Sequence, residues 1–541
     1  MRLLVIGGVA AGASAAVKAR RTSEEWEILI YEKGDYISYA NCGMPYYIGN
    51  IIKNRDDLLV VTPKYLKDRF NVEVKTKHEV IRIIPEGKKV LVKNLISGDI
   101  FEDRYDKLII ATGASPIIPE NLKGEKVFSL YNLNDMDKLK NFIENEKPKK
   151  ALIMGGGFIG IELAENLLHL GMEVTIIEKM NQILAPFDQE MADIVLESLK
   201  NYGVKVITGV GVNRIDGNIA YLEDGSTIDF DLGIASLGVK PNSKLCENTG
   251  IELGLRNSIK VNRLMETTVK DIYAAGDVAE NYYRINGEPT WIPLAGSANK
   301  QGRIAGYNAV ANSKKEYKGV LGTAIARFKD CVFAVTGFNE KKLLQDGIDY
   351  ISFYLVSEDH AGYYPGSKPL YIKVLGDMEG KILGAQIVGE NGVDKRIDVF
   401  ASAIYSGLTF EDLESFDLAY APPFSSAKDP VILAGMIGNN IVKGEAPTLW
   451  KIPENLDKFV LLDVRTPSEL KRGSYPNAIN IPINDLRQNI KNMERHKDNE
   501  ILISCATGYR SYIATRMLLN KGFSKVFNLS GGYKLHGKKN E

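Results

Sequence analysis

Three features of this 541-residue chain are spaced for chemistry: two glycine turns, each followed by an acid at a set distance, and one cysteine in a short loop. The turns are Gly7-Gly8-Val9-Ala10-Ala11-Gly12 and Gly155-Gly156-Gly157-Phe158-Ile159-Gly160. A tight turn at a helix N-terminus offers free N–H groups and the positive end of the dipole, which suit a pyrophosphate. The predicted contacts are Gly7, Gly8, Ala11 and Gly12 in the first turn and Gly155, Gly157, Ile159 and Gly160 in the second. Glu32 lies 20 residues after Gly12 and Glu178 lies 18 after Gly160, a reach that suits ribose hydroxyls. The first turn departs from the repeat by placing Val9 at its second glycine position. One such turn can be purely structural; two in matching context, each with its acid, point to two nucleotides. The cysteine is Cys505, in Cys505-Ala506-Thr507-Gly508-Tyr509-Arg510-Ser511. A cysteine between a strand and a helix start collects backbone N–H groups, which stabilise a thiolate or a persulfide anion.

These residues need strands and helices to hold them. Apolar runs at Leu3–Ile6, Glu27–Tyr31, Ala151–Met154 and Glu173–Ile177 alternate with helical patterns, the mark of buried parallel strands with crossover helices. The fold class is therefore α/β, and the length predicts roughly three to four domains. Apolar residues make up 45% and charged residues 25%, so a packed core is expected throughout. Lys+Arg and Asp+Glu are both 68, which removes the electrostatic case for nucleic acid or an anionic membrane as partner. No apolar run approaches the ~18 residues of a membrane span. A strand that starts at Arg2 leaves no room for a signal peptide, so a cytoplasmic location is expected. Four scattered cysteines predict neither a disulfide framework nor a metal site.

Two nucleotide sites in one chain suggest a flavin and a nicotinamide. Ala111-Thr112-Gly113 follows the strand Lys107–Ile110, and Ala275-Gly276-Asp277 ends a later strand. Asp277 could bind a polyol hydroxyl or simply cap a helix from Val278. Together these residues resemble the pyridine nucleotide–disulfide oxidoreductase family across about residues 1–440. The resemblance implies FAD and NAD(P)H, with Thr112 and Gly113 at the flavin, Asp277 on its ribityl chain and Glu32 on its adenosine ribose. A carboxylate at Glu178 accepts from a free 2′-hydroxyl and repels a 2′-phosphate, which favours NADH, with NADPH kept open by Lys179.

The same resemblance makes a thiol the reactive group and Cys42 its candidate, ten residues past Glu32. Many relatives carry a second cysteine five positions on; here that position is Tyr47. Cys42 would then work alone, through a mixed disulfide, a persulfide or a sulfenic acid. Near a helix start and a flavin it is expected to stand as a thiolate. Its segment Asn41-Cys42-Gly43-Met44-Pro45-Tyr46-Tyr47, with His360–Gly366 and Ala419–Ser425, is similar to the coenzyme A-disulfide reductase family. Related NADH oxidases and peroxidases carry a histidine in the first glycine turn, where this chain has Ala10. The resemblance implies that Tyr363 and Tyr420 reach the partner subunit's thiol and protonate the leaving sulfur, packing being the other role open to them. It also implies coenzyme A contacts at Ser14, Lys18, Arg21, Ser38, Asn41 and Lys428. Ser14, Lys18 and Arg21 share one helix face, which could equally be a solvated basic face. Phe70 and Asn299 stand where the family has a lysine and a histidine.

After a loose stretch the chain resumes with Phe459–Arg465 as a strand and Thr466-Pro467-Ser468-Glu469 as a capped helix start. With the Cys505 loop and Leu529-Ser530-Gly531-Gly532-Tyr533, this segment resembles a rhodanese domain, which implies catalytic roles for Cys505 and Arg510. Four residues separate Cys505 from Arg510, one fewer than in cysteine phosphatases, and the smaller loop suits sulfane sulfur. The expected layout is an FAD-binding domain (1–147 and 239–321), an NAD(H)-binding domain (148–238), both Rossmann-like, an α+β dimerisation domain (322–440), a linker (441–454) and a rhodanese domain (455–541). The expected activity is NADH-dependent reduction of coenzyme A persulfide, polysulfide and disulfide by a homodimer, with coenzyme A bound as substrate or mixed disulfide. Two other readings remain: an NADH oxidase or peroxidase with an accessory sulfurtransferase domain, and a redox-sensing module without useful turnover.

Overall fold

The structure, a computed structural model, describes residues 1–537, so the end of the 455–541 range lies outside the described residues. It divides into two units: residues 1–184 with 199–322, and residues 185–198 with everything from Thr323 onward.

The first unit holds two five-stranded parallel sheets of the same design. In one, Arg2–Ile6 lies between Glu27–Tyr31 and Lys107–Ile110, with Ile272–Ala274 and Glu73–Lys75 at the edges. In the other, Lys150–Met154 lies between Glu173–Glu178 and Leu232–Ala235, with Lys205–Thr208 and Val127–Phe128 at the edges. The second sheet thus borrows Val127–Phe128 from a segment expected to belong to the first domain. Leu3, Leu4, Val5, Leu152 and Ile153 are wholly buried, as a strand covered on both faces requires. Behind the first sheet, helix Ala10–Arg20 packs against helix Ala295–Val310. Gly302 and Gly306 permit that approach: a Cβ on either would lie 2.2 or 2.0 Å from the carbonyl oxygens of Ala11 and Ala15.

The second unit contains an antiparallel sheet ordered Ala324–Phe328, Cys331–Gly337, Ile382–Gly389, Pro369–Asp377, Tyr350–Glu358. Lys373 is fully buried in it and holds Asp188 at 2.9 Å, Glu190 at 2.7 Å and Glu340 at 3.1 Å. Burial works against ionising Glu190, yet Lys373 holds its carboxyl at about 2. This cluster explains why residues 185–198, expected in the NAD(H)-binding domain, belong to the second unit: removing Lys373 would strand three buried acids.

The same unit ends in a parallel sheet ordered Thr448–Leu449, Val526–Leu529, Ile501–Ser504, Val460–Asp463, Ile479–Asn480. Residues 441–454 were expected as a linker, and here the structure differs. Helix Pro430–Val442 runs into this stretch and Thr448–Leu449 is an edge strand, with the Pro447 and Leu449 carbonyls accepting from Asn528 and Ser530 N–H groups. The Ser530 hydroxyl accepts from Tyr354 N–H at 2.7 Å and donates to Tyr354 O at 3.1 Å, which ties this sheet to the antiparallel one.

Candidate active sites

The two glycine turns are built alike. Gly7 and Gly155 have φ of 98° and 113°, and a Cβ on either would lie 2.3 or 2.2 Å from the carbonyl oxygen of Ala111 or Ser236. Gly12 and Gly160 let each helix start pass over the turn before it. The Val9 departure has a simple steric account: at the matching Gly157 a Cβ would meet nothing within 4 Å, so a side chain fits there. The acids repeat as well. Glu32 accepts from Gly8 N–H at 2.8 Å and Gly34 N–H at 2.7 Å, and Glu178 accepts from Gly156 and Met180 N–H groups, both at 2.8 Å. Lys179 does not lie free beside Glu178; its ammonium is 2.7 Å from Glu223.

The first turn opens on a cavity of about 1600 Å³ lined by Gly7, Ala11, Glu32, Thr112, Gly113 and Asp277, and also by Ser14, Ser38, Asn41 and Cys42. Residues 276–279 form a turn rather than a helix, so the capping alternative for Asp277 lacks its helix. Burial pushes the Asp277 carboxyl up to about 6. Tyr131, which sequence patterning gave no reason to notice, joins the walls: its hydroxyl accepts from Ala114 N–H and its carbonyl from Asn41 Nδ2.

Cys42 sits in the 3-10 turn Asn41–Gly43, ahead of the short helix Met44–Ile48, and is exposed to the cavity. The expected thiolate is not supported by these surroundings. Burial first, and then the Glu162 carboxylate, push the thiol up. Glu162, on helix Phe158–His169, lines the same cavity, and burial pushes its carboxyl up to about 7. It was missed because nothing local relates it to a cysteine 120 residues earlier.

Of the expected substrate residues, Ser14 donates to Asn299 Oδ1 at 2.6 Å, a direct link to one of the two atypical positions. Phe70 packs against the core, and its carbonyl accepts from Arg20. Lys18 lies 5.2 Å over the Tyr307 ring; burial, then the charges of Arg303, Lys315 and Arg21, push its ammonium down. Arg303 and Lys315 thus extend the basic face of Lys18 and Arg21, and both come from segments that helical spacing could not connect to it. Ser38 adopts φ of 44° and its carbonyl accepts from Val60 and Val61 N–H groups, which fixes the loop before Cys42.

In the second unit, Tyr363 and Tyr420 meet hydroxyl to hydroxyl at 3.0 Å although 57 residues apart. Both are exposed, as is Lys428. The Tyr363 phenol is pushed up, first by its hydrogen bond with Tyr420. Cys505 is wholly buried; Gly508 N–H donates to its Sγ at 3.1 Å and the Ser511 hydroxyl at 3.4 Å. Arg510 pairs with Glu469 through two bonds of 2.8 and 2.6 Å, and its guanidinium also interacts with the Cys505 sulfur. Thr466 and Glu469 form the expected capping box, with Pro467 in the first turn.

Comparison with known proteins follows this division. The pyridine nucleotide-disulphide oxidoreductase model matches residues 1–302, the dimerisation-domain model of that family residues 323–430, and the rhodanese-like domain model residues 446–537. A Coenzyme A disulfide reductase of Staphylococcus haemolyticus is 37% identical over 81% of this chain and 98% of its own. The solved structure of reduced Bacillus anthracis CoADR-RHD is 43% identical, with a TM-score of 0.96 over 99% of this chain and 97% of that one. A NAD-dependent persulfide reductase from A. fulgidus is 36% identical, with a TM-score of 0.91 over 99% of this chain and all of its own. Among the described residues, no helix is long and apolar enough to cross a membrane.

Proposed function

The chain belongs to the pyridine nucleotide-disulphide oxidoreductase family, and from that premise we propose an FAD-containing homodimer that uses NADH to reduce coenzyme A persulfide, polysulfide and disulfide at Cys42. The observation that carries this reading is the opening of Cys42 into the same cavity as Glu32, Thr112 and Asp277, with Tyr47 in place of a second cysteine. The residues fit the cofactors: each dinucleotide needs one acid held at a strand end beside a close-packed glycine turn, and both sets are present. When bound, NADH and FAD supply the electron pair that returns a Cys42 mixed disulfide to two thiols.

The chain's own groups handle sulfur and protons. Cys42 thiolate attacks the carbon-bound sulfur of a coenzyme A persulfide, forming a mixed disulfide while HS⁻ leaves. With coenzyme A disulfide, one coenzyme A thiolate leaves instead. Tyr363 and Tyr420 of the neighbouring copy form a paired phenol that donates to the departing sulfur. Glu162 accepts or returns a proton beside the thiol near neutral pH. Lys18 and Arg21, extended by Arg303 and Lys315, meet the phosphates of coenzyme A, with Ser14, Ser38, Asn41 and the partner copy's counterpart of Lys428 around its thiol arm. Cys505 carries sulfane sulfur, with the amide of Gly508 and the hydroxyl of Ser511 on its anion.

Anaerobic NADH oxidation with coenzyme A persulfide, coenzyme A disulfide and peroxide in parallel tests this reading. Sulfide release from the persulfide, lost in Cys42→Ser and slowed in Cys505→Ser, is the expected result. Peroxide turnover that outruns both thiol substrates would overturn it in favour of an oxidase or peroxidase.

A further inference from the structure

The cation of the Cys505 loop is spoken for. Arg510 gives NH1 and NH2 to Glu469 at 2.8 and 2.6 Å, a bidentate pair beside the Cys505 sulfur that any anionic ligand of the loop must compete with. Glu469 is itself anchored: its Oε2 also accepts from Thr466 N–H at 2.9 Å and from the Thr466 hydroxyl at 3.0 Å. Two other cations near the loop also have partners of their own. Arg465, which stacks on Tyr533 at 4.0 Å, pairs with Asp463 through Nε and NH2 and with the Gly473 carbonyl. Lys534, whose backbone N–H binds the Ala506 carbonyl, holds its ammonium 4.8 Å over the Tyr371 ring. Beside the loop Tyr509 is 69% exposed, an aromatic surface for a carbon chain.

We propose that Glu469 sets the sulfur donor of the Cys505 loop: by neutralising Arg510 it makes the loop accept organic persulfides and reject the thiosulfate dianion. This rests on the reading that Cys505 carries sulfane sulfur. In the favoured step, Cys505 thiolate attacks the terminal sulfur of R–S–SH. A Cys505 Sγ–S bond forms, the donor S–S bond breaks, and R–S⁻ leaves with its electron pair and takes a proton from solvent. The same attack on thiosulfate would expel sulfite, a dianion, past an Arg510 whose guanidinium is already held by Glu469.

The test uses the full-length holoprotein with glutathione persulfide or thiosulfate as donor and dithiothreitol as acceptor, reading hydrogen sulfide and the mass of Cys505. Wild type should favour the persulfide in kcat/KM by at least about tenfold. Glu469→Gln, which leaves Arg510 charged and unpaired, should shift the thiosulfate-to-persulfide ratio toward thiosulfate by about tenfold or more, with the gain lost in high salt. The double variant Glu469→Gln/Arg510→Gln should return the ratio to the wild-type value. Should Glu469→Gln fail to fold, Glu469→Asp, too short for the bidentate pair, carries the same expectation. A wild-type protein that uses thiosulfate as fast as the persulfide overturns the proposal, as does an unchanged ratio in a folded Glu469 variant. If no donor adds a sulfur to Cys505, the underlying reading fails instead.

Discussion

Cys42 and Cys505 are held in opposite ways. Cys42 is open to a large cavity, and its surroundings, burial first and Glu162 second, push the thiol up. Cys505 is closed in, and an amide N–H and a hydroxyl already point at its sulfur. The Cys505 loop supplies from six consecutive residues what a sulfur anion needs. In the proposed mechanism the Cys42 site leaves that task to groups brought by the cofactor, the substrate or a second copy of the chain. One thiol is thus built to be conditional and the other to be self-sufficient.

The sharpest way to break this comparison is to remove each sulfur in turn. Cys42→Ser should lower NADH-dependent reduction of coenzyme A disulfide by about 10³-fold or more, since no second cysteine stands nearby to share the work. Cys505→Ser should leave that reaction within about twofold while ending sulfur loading. Stopped-flow NADH oxidation and mass spectrometry of each variant separate the two. A Cys505→Ser enzyme that loses coenzyme A disulfide reduction as well would mean the two thiols form one site.

Next in size is the paired phenol. Tyr363→Phe and Tyr420→Phe should each cost about 10²-fold in kcat, the usual range for a proton donor in the transition state. Because the two hydroxyls are bonded to each other, the double variant should cost little more than either alone. Additive losses would show two separate roles. Rate constants from single-turnover reduction are the measurement.

What could be read from the sequence follows the same line. The glycine turns, their acids and the Cys505 loop are written in segments of six to about thirty residues, so spacing alone locates them. The capping box at Thr466 is local in the same sense. Glu162, Arg303, Lys315 and Tyr131 reach their places only through sheet order and helix packing, and no periodicity in one chain reveals that. At Cys42 the local turn suggested a favourable dipole, whereas burial first and the distant Glu162 carboxylate second push the thiol up. Residues 441–454 misled in the other direction, because a two-residue edge strand leaves almost no pattern.

Glu162→Gln sharpens the comparison through pH. In the folded chain this carboxyl keeps its proton up to about pH 7, whereas in the unfolded chain it ionises near ~4.3. Stability from this group is therefore complete below pH ~4 and is lost as pH rises to about 7, by no more than about 4 kcal/mol. Thermal melts at pH 5 and pH 8 should show Glu162→Gln gaining on wild type at the higher pH. The pH profile of Cys42 alkylation should move to lower pH in the variant, because one of the two causes of the raised thiol is gone. No movement of that profile would leave burial as the whole explanation.

The smallest effect concerns a cation beside a nucleotide acid. Lys179 is held by Glu223 through one contact of 2.7 Å, much as Arg510 is held by Glu469. The two pairs differ in kind. Lys179 is 71% exposed at its side chain and singly bonded, so solvent already screens most of its charge. Arg510 is bidentate and less than half as exposed, at 28%. Glu223→Gln should therefore raise the NADPH-to-NADH ratio of kcat/KM only about two- to fivefold, and only at low ionic strength, by freeing an ammonium for a 2′-phosphate. Glu178, with both carboxylate oxygens fixed by amides, remains in place to repel that phosphate. A shift as large as that expected from Glu469→Gln would mean that an exposed, singly bonded pair can set specificity as firmly as a bidentate one. The distinction drawn between the two cysteine sites would then rest on burial of the sulfur alone.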